Sequence, residues 1–231
     1  MRVNSSSFRR TAVSLGLLAA ALLAAGAGEQ RHPVTGRQIA PVMGYQGAQW
    51  LERPERIREE DPEAALNALD LRPGMIVADV GAGTGYFTRR LAQRVGPEGR
   101  VYATDIQPEM LRLLRENIQN AGLSNVEAVL GTATDPGLPA GAIDLALLVD
   151  VYHEFSHPQQ MLAGLRTALK PQGKLVLLEY RKEDPSIPIR EEHKMSVKQV
   201  TAELEAEGFR MERVLDKLPR QHILIFRKQV M

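Results

Sequence analysis

The chain contains no cysteine among its 231 residues, which excludes disulfides, zinc–thiolate centres and thiol catalysis. Net charge is also scarce, since 29 lysines and arginines oppose 28 aspartates and glutamates, for +1 at neutral pH. The basic residues are scattered, with no stripe and no interleaved aromatics, so no nucleic-acid partner is expected. Aromatics are only 5% of the chain, and Trp50 is the sole tryptophan. Repeats and low-complexity segments are absent beyond the N-terminus, so a repeat architecture is not expected. What is abundant is ordinary core material: 44% hydrophobic residues suffice for one full domain.

One long apolar run stands out, from Ala12 to Ala25, preceded by Arg2, Arg9 and Arg10 and ending in Ala25-Gly26-Ala27. A basic start, an apolar stretch and a small-x-small site predict a signal peptide over residues 1–27, cleaved after Ala27. The run is short for a membrane span, so no stable span is expected after cleavage. The alternatives are an uncleaved N-terminal membrane anchor or a misplaced start codon. Cleavage removes three of the 29 basic residues and no acids, which takes the net charge from +1 to −2. The protein is therefore expected outside the cytoplasm, periplasmic or extracellular. The Arg9-Arg10 pair also suits twin-arginine export of a folded protein, although Ala12 and Val13 replace the usual residues after the pair.

The run Asp79-Val80-Gly81-Ala82-Gly83-Thr84-Gly85 carries the chemistry. Met75-Ile76-Val77-Ala78 before it reads as a strand, and Tyr86–Val95 after it has helical apolar spacing. Glycines on a strand-to-helix turn let a ligand approach the backbone and the helix N–H groups. A dinucleotide fingerprint needs glycine at position 86, where Tyr86 stands, so an NAD-dependent oxidoreductase is disfavoured. Arg100–Thr104 reads as the next strand, with Asp105 at its end, twenty residues beyond Gly85. An acid there accepts hydrogen bonds from ribose hydroxyls.

The spacing Asp-x-Gly-x-Gly-x-Gly, with Asp105 behind it, resembles the first motifs of class I S-adenosylmethionine (SAM) dependent methyltransferases. Further strands at Val126–Leu130, Ile143–Val149 and Lys174–Glu179 alternate with helices at Pro108–Ala121 and Pro158–Leu169. The turn Lys170-Pro171-Gln172-Gly173 leads into the fifth strand. A helix at Val197–Glu207 precedes a hairpin of Phe209–Leu215 and His222–Phe226. Alternating strands and helices imply a parallel sheet covered on both faces. The expected fold is α/β, a Rossmann-like three-layer sandwich with a seven-stranded, mostly parallel sheet and one antiparallel strand. The resemblance spans about residues 60–228 and implies the strand order 3-2-1-4-5-7-6. The missing cysteines count against arsenic methyltransferases of similar fold. The domain is expected over residues 55–231. Residues 28–54 are rich in proline and glycine yet carry Ile39, Met43, Tyr45 and Trp50, and are expected to pack as an extension or lid.

Ligands of open α/β sheets bind beyond the carboxyl ends of the strands. The resemblance therefore implies Gly81, Ala82, Gly83 and Gly85 for the methionyl part of SAM, with Asp79 near its amino group. It implies Asp105 for the ribose and Ile106 for the adenine face. Thr132 stands where relatives carry an acid for the adenine amino group, so its hydroxyl, the Ala133 backbone or Asp135 is the expected substitute. Asp150 opens the loop Asp150–Pro158, which resembles the segment beneath the sulfonium and facing the acceptor. There His153 is the candidate base, since its pKa lies near working pH, and Glu154 orients it or holds the acceptor. His153 and His157 stand four apart, but Pro158 breaks the helix such a pair needs, so no metal is expected. The mixed charges of residues 181–194, including Arg190, His193 and Lys194, suit a solvated loop or an anionic acceptor. The reading is thus a SAM-dependent methyltransferase acting on a small-molecule acceptor. A noncatalytic, exported SAM- or nucleotide-binding module is the alternative.

Overall fold

The computed structural model describes residues 30–229, and the export signal expected over residues 1–27 lies outside the described residues. The sheet strands are β1 (Ile76–Val80), β2 (Arg100–Asp105), β3 (Val126–Leu130), β4 (Ile143–Val149), β5 (Leu169–Arg181), β6 (Lys194–Met195), β7 (Phe209–Leu215) and β8 (Gln221–Lys228). Their order is β3-β2-β1-β4-β5-β8-β7, and β8 runs antiparallel to both neighbours. This is the expected Rossmann-like topology with one addition. The two-residue strand β6 pairs with the end of β5, Tyr180 with Lys194 and Arg181 with Met195. Lys194 is therefore a buried strand residue and not part of a solvated loop.

Period-two alternation along each strand feeds two cores. Ala78, Val80, Ala146, Leu148, Leu175 and Leu177 face α6 (Pro158–Ala168) and α7 (Val197–Ala206) through Leu162, Leu165, Val200 and Leu204. The intervening Val77, Leu145, Leu147, Val176 and Leu178 meet the helix α3 (Pro62–Asn67) and the helix α4 (Tyr86–Val95) through Leu66, Phe87, Leu91 and Val95. Each fully buried leucine or valine contributes roughly 1.5–3 kcal/mol, so a one-residue slip in register is strongly disfavoured. The helix α5 (Pro108–Asn120) packs Leu111, Leu114 and Ile118 against Ala82 and Ala103.

One boundary differs from the sequence reading. The turn expected at 170–173 sits inside β5 as an irregularity, because Ile143 pairs with Leu169 while Leu145 already pairs with Lys174. Residues 28–54 contain regular structure at their end, α1 (Ala48–Leu51), followed by α2 (Arg56–Glu60). Among the described residues no helix is long and apolar enough to cross a membrane.

Candidate functional site

A cavity of about 440 Å³ opens beyond the carboxyl ends of the parallel strands. Gly81 and Gly83 follow β1, Asp105 and Ile106 close β2, Thr132 and Ala133 follow β3, and Asp150 and His153 follow β4, all on its wall. The segment before α1 and α1 itself supply Met43, Trp50 and Leu51 from the other side.

The glycine turn needs its glycines. Gly81 and Gly83 hold left-handed φ angles of 70° and 54°. A Cβ on Gly81 would drive into the Val151 side chain, and one on Gly83 would lie 2.6 Å from Leu51 Cδ1. The Gly83 N–H donates to Asp105 Oδ2 at 3.0 Å and the Gln107 N–H donates to Oδ1 at 2.9 Å. Burial pushes the Asp105 carboxyl above its ordinary range, and these two donors partly offset it. Each oxygen keeps a lone pair for a ligand hydroxyl.

Three residues expected on the site lie off the cavity wall. Asp79 turns its carboxylate onto the Thr88 hydroxyl of α4, at 2.6 Å, and burial raises its pKa to about 6. Ala82 packs into the core beneath α5, and Gly85 forms the N-cap of α4. Asp150 does line the cavity, beside Asp105 and Glu154, at a left-handed φ of 52°. Its Oδ2 accepts from Gln221 Nε2 at 2.7 Å, while its buried Oδ1 has no partner among the described residues. Burial, then the nearby Glu60 and Glu179 carboxylates, push its carboxyl well above the usual range. A cation in the cavity beside this carboxylate would favour its charged form against burial and the two neighbouring acids.

The wall expected to meet adenine also differs in detail. The Thr132 hydroxyl accepts the N–H groups of Thr134 and Asp135, at 3.2 and 3.0 Å, so it is committed to its own turn. Asp135 accepts from Gly137 and is not on the wall, which leaves the backbone of Thr132 and Ala133 as the polar edge there. Ile106 stays 42% exposed, open to a flat ring.

On the acceptor side, His153 sits on a short 3-10 turn (Tyr152–Glu154) and is buried. Its Nδ1 lies 2.6 Å from Glu179 Oε2, and its Nε2 lies 3.0 Å from His193 Nδ1. Burial presses the His153 pKa down, but the charge and hydrogen bond of Glu179, with the Glu154 and Asp150 carboxylates, together turn the net shift upward. Burial raises the Glu154 carboxyl to about 7, and its Oε1 accepts the Met43 N–H at 3.3 Å. Burial, then His153 and Arg190, lower His193 to about 4. Glu179 was assigned no role from sequence, and His193 was expected only on a solvated loop or against an anionic acceptor, not beside His153. The available signal for Glu179 was its position, an acid at the end of an otherwise apolar strand, as with Asp105.

His153, Glu154 and His193 bring donor atoms within 4.8 Å of one another. Arg190 Nη2 lies 3.1 Å from His193 Nε2 and can only donate, so the proton of neutral His193 sits on Nδ1 and points at His153 Nε2. Glu154 Oε1 is 4.0 Å from both histidines, whereas ligands of a small ion at about 2.1 Å stand roughly 3.0–3.4 Å apart. The cluster is arranged as a hydrogen-bond chain and not as a ligand set. His157 bonds to Ser156 and is not on the wall.

Residues 30–56 grip both halves of the site. Arg37 pairs with Glu203 at 2.9 Å, and its Nη1 donates to the His153 carbonyl at 3.1 Å. The Ala40 N–H donates to that same carbonyl at 3.1 Å. Farther along, Glu52 accepts from Thr84 Oγ1 and from Arg89, both at 2.7 Å, beside the glycine turn. Trp50 lines the cavity with Arg53 stacked 3.6 Å over its ring. Tyr45 is not on the wall, because its backbone N–H is tied to Gln107 Oε1 at 2.9 Å.

Comparison with known proteins agrees with this geometry. A family model described as a methyltransferase domain matches residues 71–220. A solved SAM-dependent methyltransferase from Aquifex aeolicus matches with a TM-score of 0.76 at 30% identity, over 82% of this chain and 100% of that one. A solved putative type 11 methyltransferase from Sulfolobus solfataricus shares the fold, with a TM-score of 0.62 at 22% identity over 75% of this chain and 95% of that one. The ubiquinone/menaquinone biosynthesis C-methyltransferase of Bordetella avium is 36% identical over 115 residues, 50% of this chain and 44% of that protein. The chain thus spans less than half the length of that curated relative. With the glycine turn, the acid ending β2 and the strand order all in place, the chain belongs to the class I SAM-dependent methyltransferases.

Proposed function

We propose that this protein moves the methyl group of SAM to a small-molecule acceptor with an apolar body and a removable proton. The observation that carries the reading is that one cavity holds both halves of the reaction. Asp105, Asp150 and His153 all line it, and the buried Glu179 stands behind His153. Bound SAM supplies an electrophilic methyl on a sulfonium, a displacement that needs no metal. The backbone at Gly81 and Gly83 gives the methionyl part room to approach. Asp105 accepts from the ribose diol, Ile106 packs on the adenine, and Asp150 takes the ammonium.

Met43, Trp50, Phe155, Met161 and Ile189 give the acceptor end an apolar wall. The curated relative, named for carbon methylation in ubiquinone and menaquinone biosynthesis, supports an apolar ring as acceptor. His153 is the final base for its proton, with Glu179 stabilising the resulting charge and Glu154 holding the acceptor. Residues 30–54 form the lid, holding the site through Arg37, Met43 and Trp50. Positioning of the acceptor against the methyl carbon supplies a large part of the rate. The test is calorimetric titration with SAM, followed by label transfer from SAM into a small-molecule extract. Tight binding of NAD with no binding of SAM would reject the reading.

The same reading places the protein outside the cytoplasm, cleaved after Ala27, supported by the basic start and apolar run of residues 1–27. Cell fractionation with N-terminal sequencing decides this. Intact protein beginning at Met1 in the cytosol would refute export.

A further inference from the structure

His153 lines the cavity, but neither of its ring nitrogens is open to an acceptor. Its side chain is 2% exposed, and both ring nitrogens are taken, Nδ1 by Glu179 and Nε2 by His193. His193 lies in front of it on the short 3-10 turn Glu191–His193, lines the cavity and is 21% exposed. The other nitrogen of His193, Nε2, is held only by Arg190, whose side chain is 67% exposed and can yield to an incoming group. The four side chains form one directed chain of hydrogen bonds, from Arg190 to His193 to His153 to Glu179.

Resting on the methyl-transfer reading of this cavity, we propose that His193 is the catalytic residue that touches the acceptor and relays its proton inward to His153. The acceptor's O–H or N–H bond breaks, and the proton joins His193 Nε2 in place of the Arg190 donor. The Nδ1–H bond of His193 breaks, and that proton joins His153 Nε2. His193 ends neutral in the opposite tautomer, and His153 ends as an imidazolium against Glu179. The electron pair freed on the acceptor forms the bond to the methyl carbon as the carbon–sulfur bond breaks, and that bond's pair remains on sulfur. Arg190, displaced from Nε2, faces the charge developing on the acceptor.

The surroundings set the direction of flow. His153 faces Glu179, Glu154 and Asp150, whose carboxylates favour a proton there, and His193 opposite them. His193 faces His153 and Arg190, which disfavour a proton, against Glu192, Glu179 and Glu154. A proton entering at His193 therefore comes to rest on His153.

The test is nitrogen-resolved NMR of the full chain labelled with 15N-histidine, with S-adenosylhomocysteine present. The relay expects His193, at a pH where His153 is neutral, to carry its proton on Nδ1 with Nε2 bare, and His153 to gain its second proton first as the pH falls. An Nε2–H tautomer of His193, or His193 titrating above His153, would overturn it. In label transfer from SAM to a small-molecule extract, His193→Gln is expected to lower turnover about a hundredfold or more, with SAM affinity unchanged. Turnover within about threefold of wild type overturns the relay, as does activity lost to a chelator and restored by a divalent ion. Failure of the underlying methyl-transfer reading looks different, because then the wild-type protein transfers no label while the tautomers remain readable.

Discussion

His153 Nδ1 and Glu179 Oε2 lie 2.6 Å apart, and both side chains are buried, so the end of β5 fixes the ring that follows β4. The same carboxylate accepts the Tyr152 N–H at 3.0 Å through its other oxygen, which locks the turn carrying the ring. A carboxylate in this position fixes the imidazole tautomer and stabilises the protonated form.

Glu179→Gln keeps the shape and removes the charge. Turnover is expected to fall by roughly a hundredfold, with the affinity for SAM near wild type, because the imidazolium loses its counter-ion. Single-turnover kinetics beside calorimetry separates the two. Unchanged turnover would mean that His153 receives no proton.

Asp105→Ala tests the cofactor wall. It removes a charged acceptor for two ribose hydroxyls, expected to cost about 2–4 kcal/mol, at least tenfold in SAM affinity. Calorimetric titration of the variant checks it, and wild-type affinity would remove the ribose assignment.

The fold and the placing of the glycine turn and Asp105 at the cavity were legible in the sequence, the surroundings of His153 far less so. The glycine turn and Asp105 announce themselves locally, by a strand before and a helix after. Asp79 had the same local signature, yet Thr88 of α4 takes its carboxylate, a contact visible only once the helix is folded back. The contacts of His153 with Glu179 and His193 join loops 26 and 40 residues away, set by strand order and not by any spacing. Residues 181–194 looked solvated because the mixed polar pattern of a cavity wall matches that of an exposed loop. The pairing of β6 with β5 is what turns His193 and Lys194 inward.

Arg37 and Glu203 form a buried pair, with side chains 4% and 0% exposed. Breaking it with Arg37→Met leaves a buried carboxylate and is expected to cost about 3–5 kcal/mol. The His153 carbonyl also loses a donor, so turnover should drop in the same variant. Urea unfolding measures the first effect. A change in stability below about 1 kcal/mol would show that residues 30–40 are not integral to the domain.

Asp79 gives stability a pH dependence of definite sign. Its pKa of about 6 in the folded protein lies above the unfolded value, so the native state binds more protons between roughly pH 4 and 6. That contribution is full below the unfolded pKa and is lost as the pH rises through 6. Asp79→Asn should therefore gain on wild type across this window, by roughly 2–3 kcal/mol in all. Unfolding free energies of both proteins at several pH values check it, and a constant difference would place the titrating group elsewhere.

Transfer of labelled methyl from SAM into a small-molecule extract, comparing wild type with His153→Ala, separates an enzyme from a binding module. Wild type is expected to move label onto a small molecule. His153→Ala is expected to bind SAM with near wild-type affinity and to transfer about a hundredfold more slowly or worse. Wild-type protein that binds SAM and leaves all label on it would contradict catalysis and reduce this chain to a binding module.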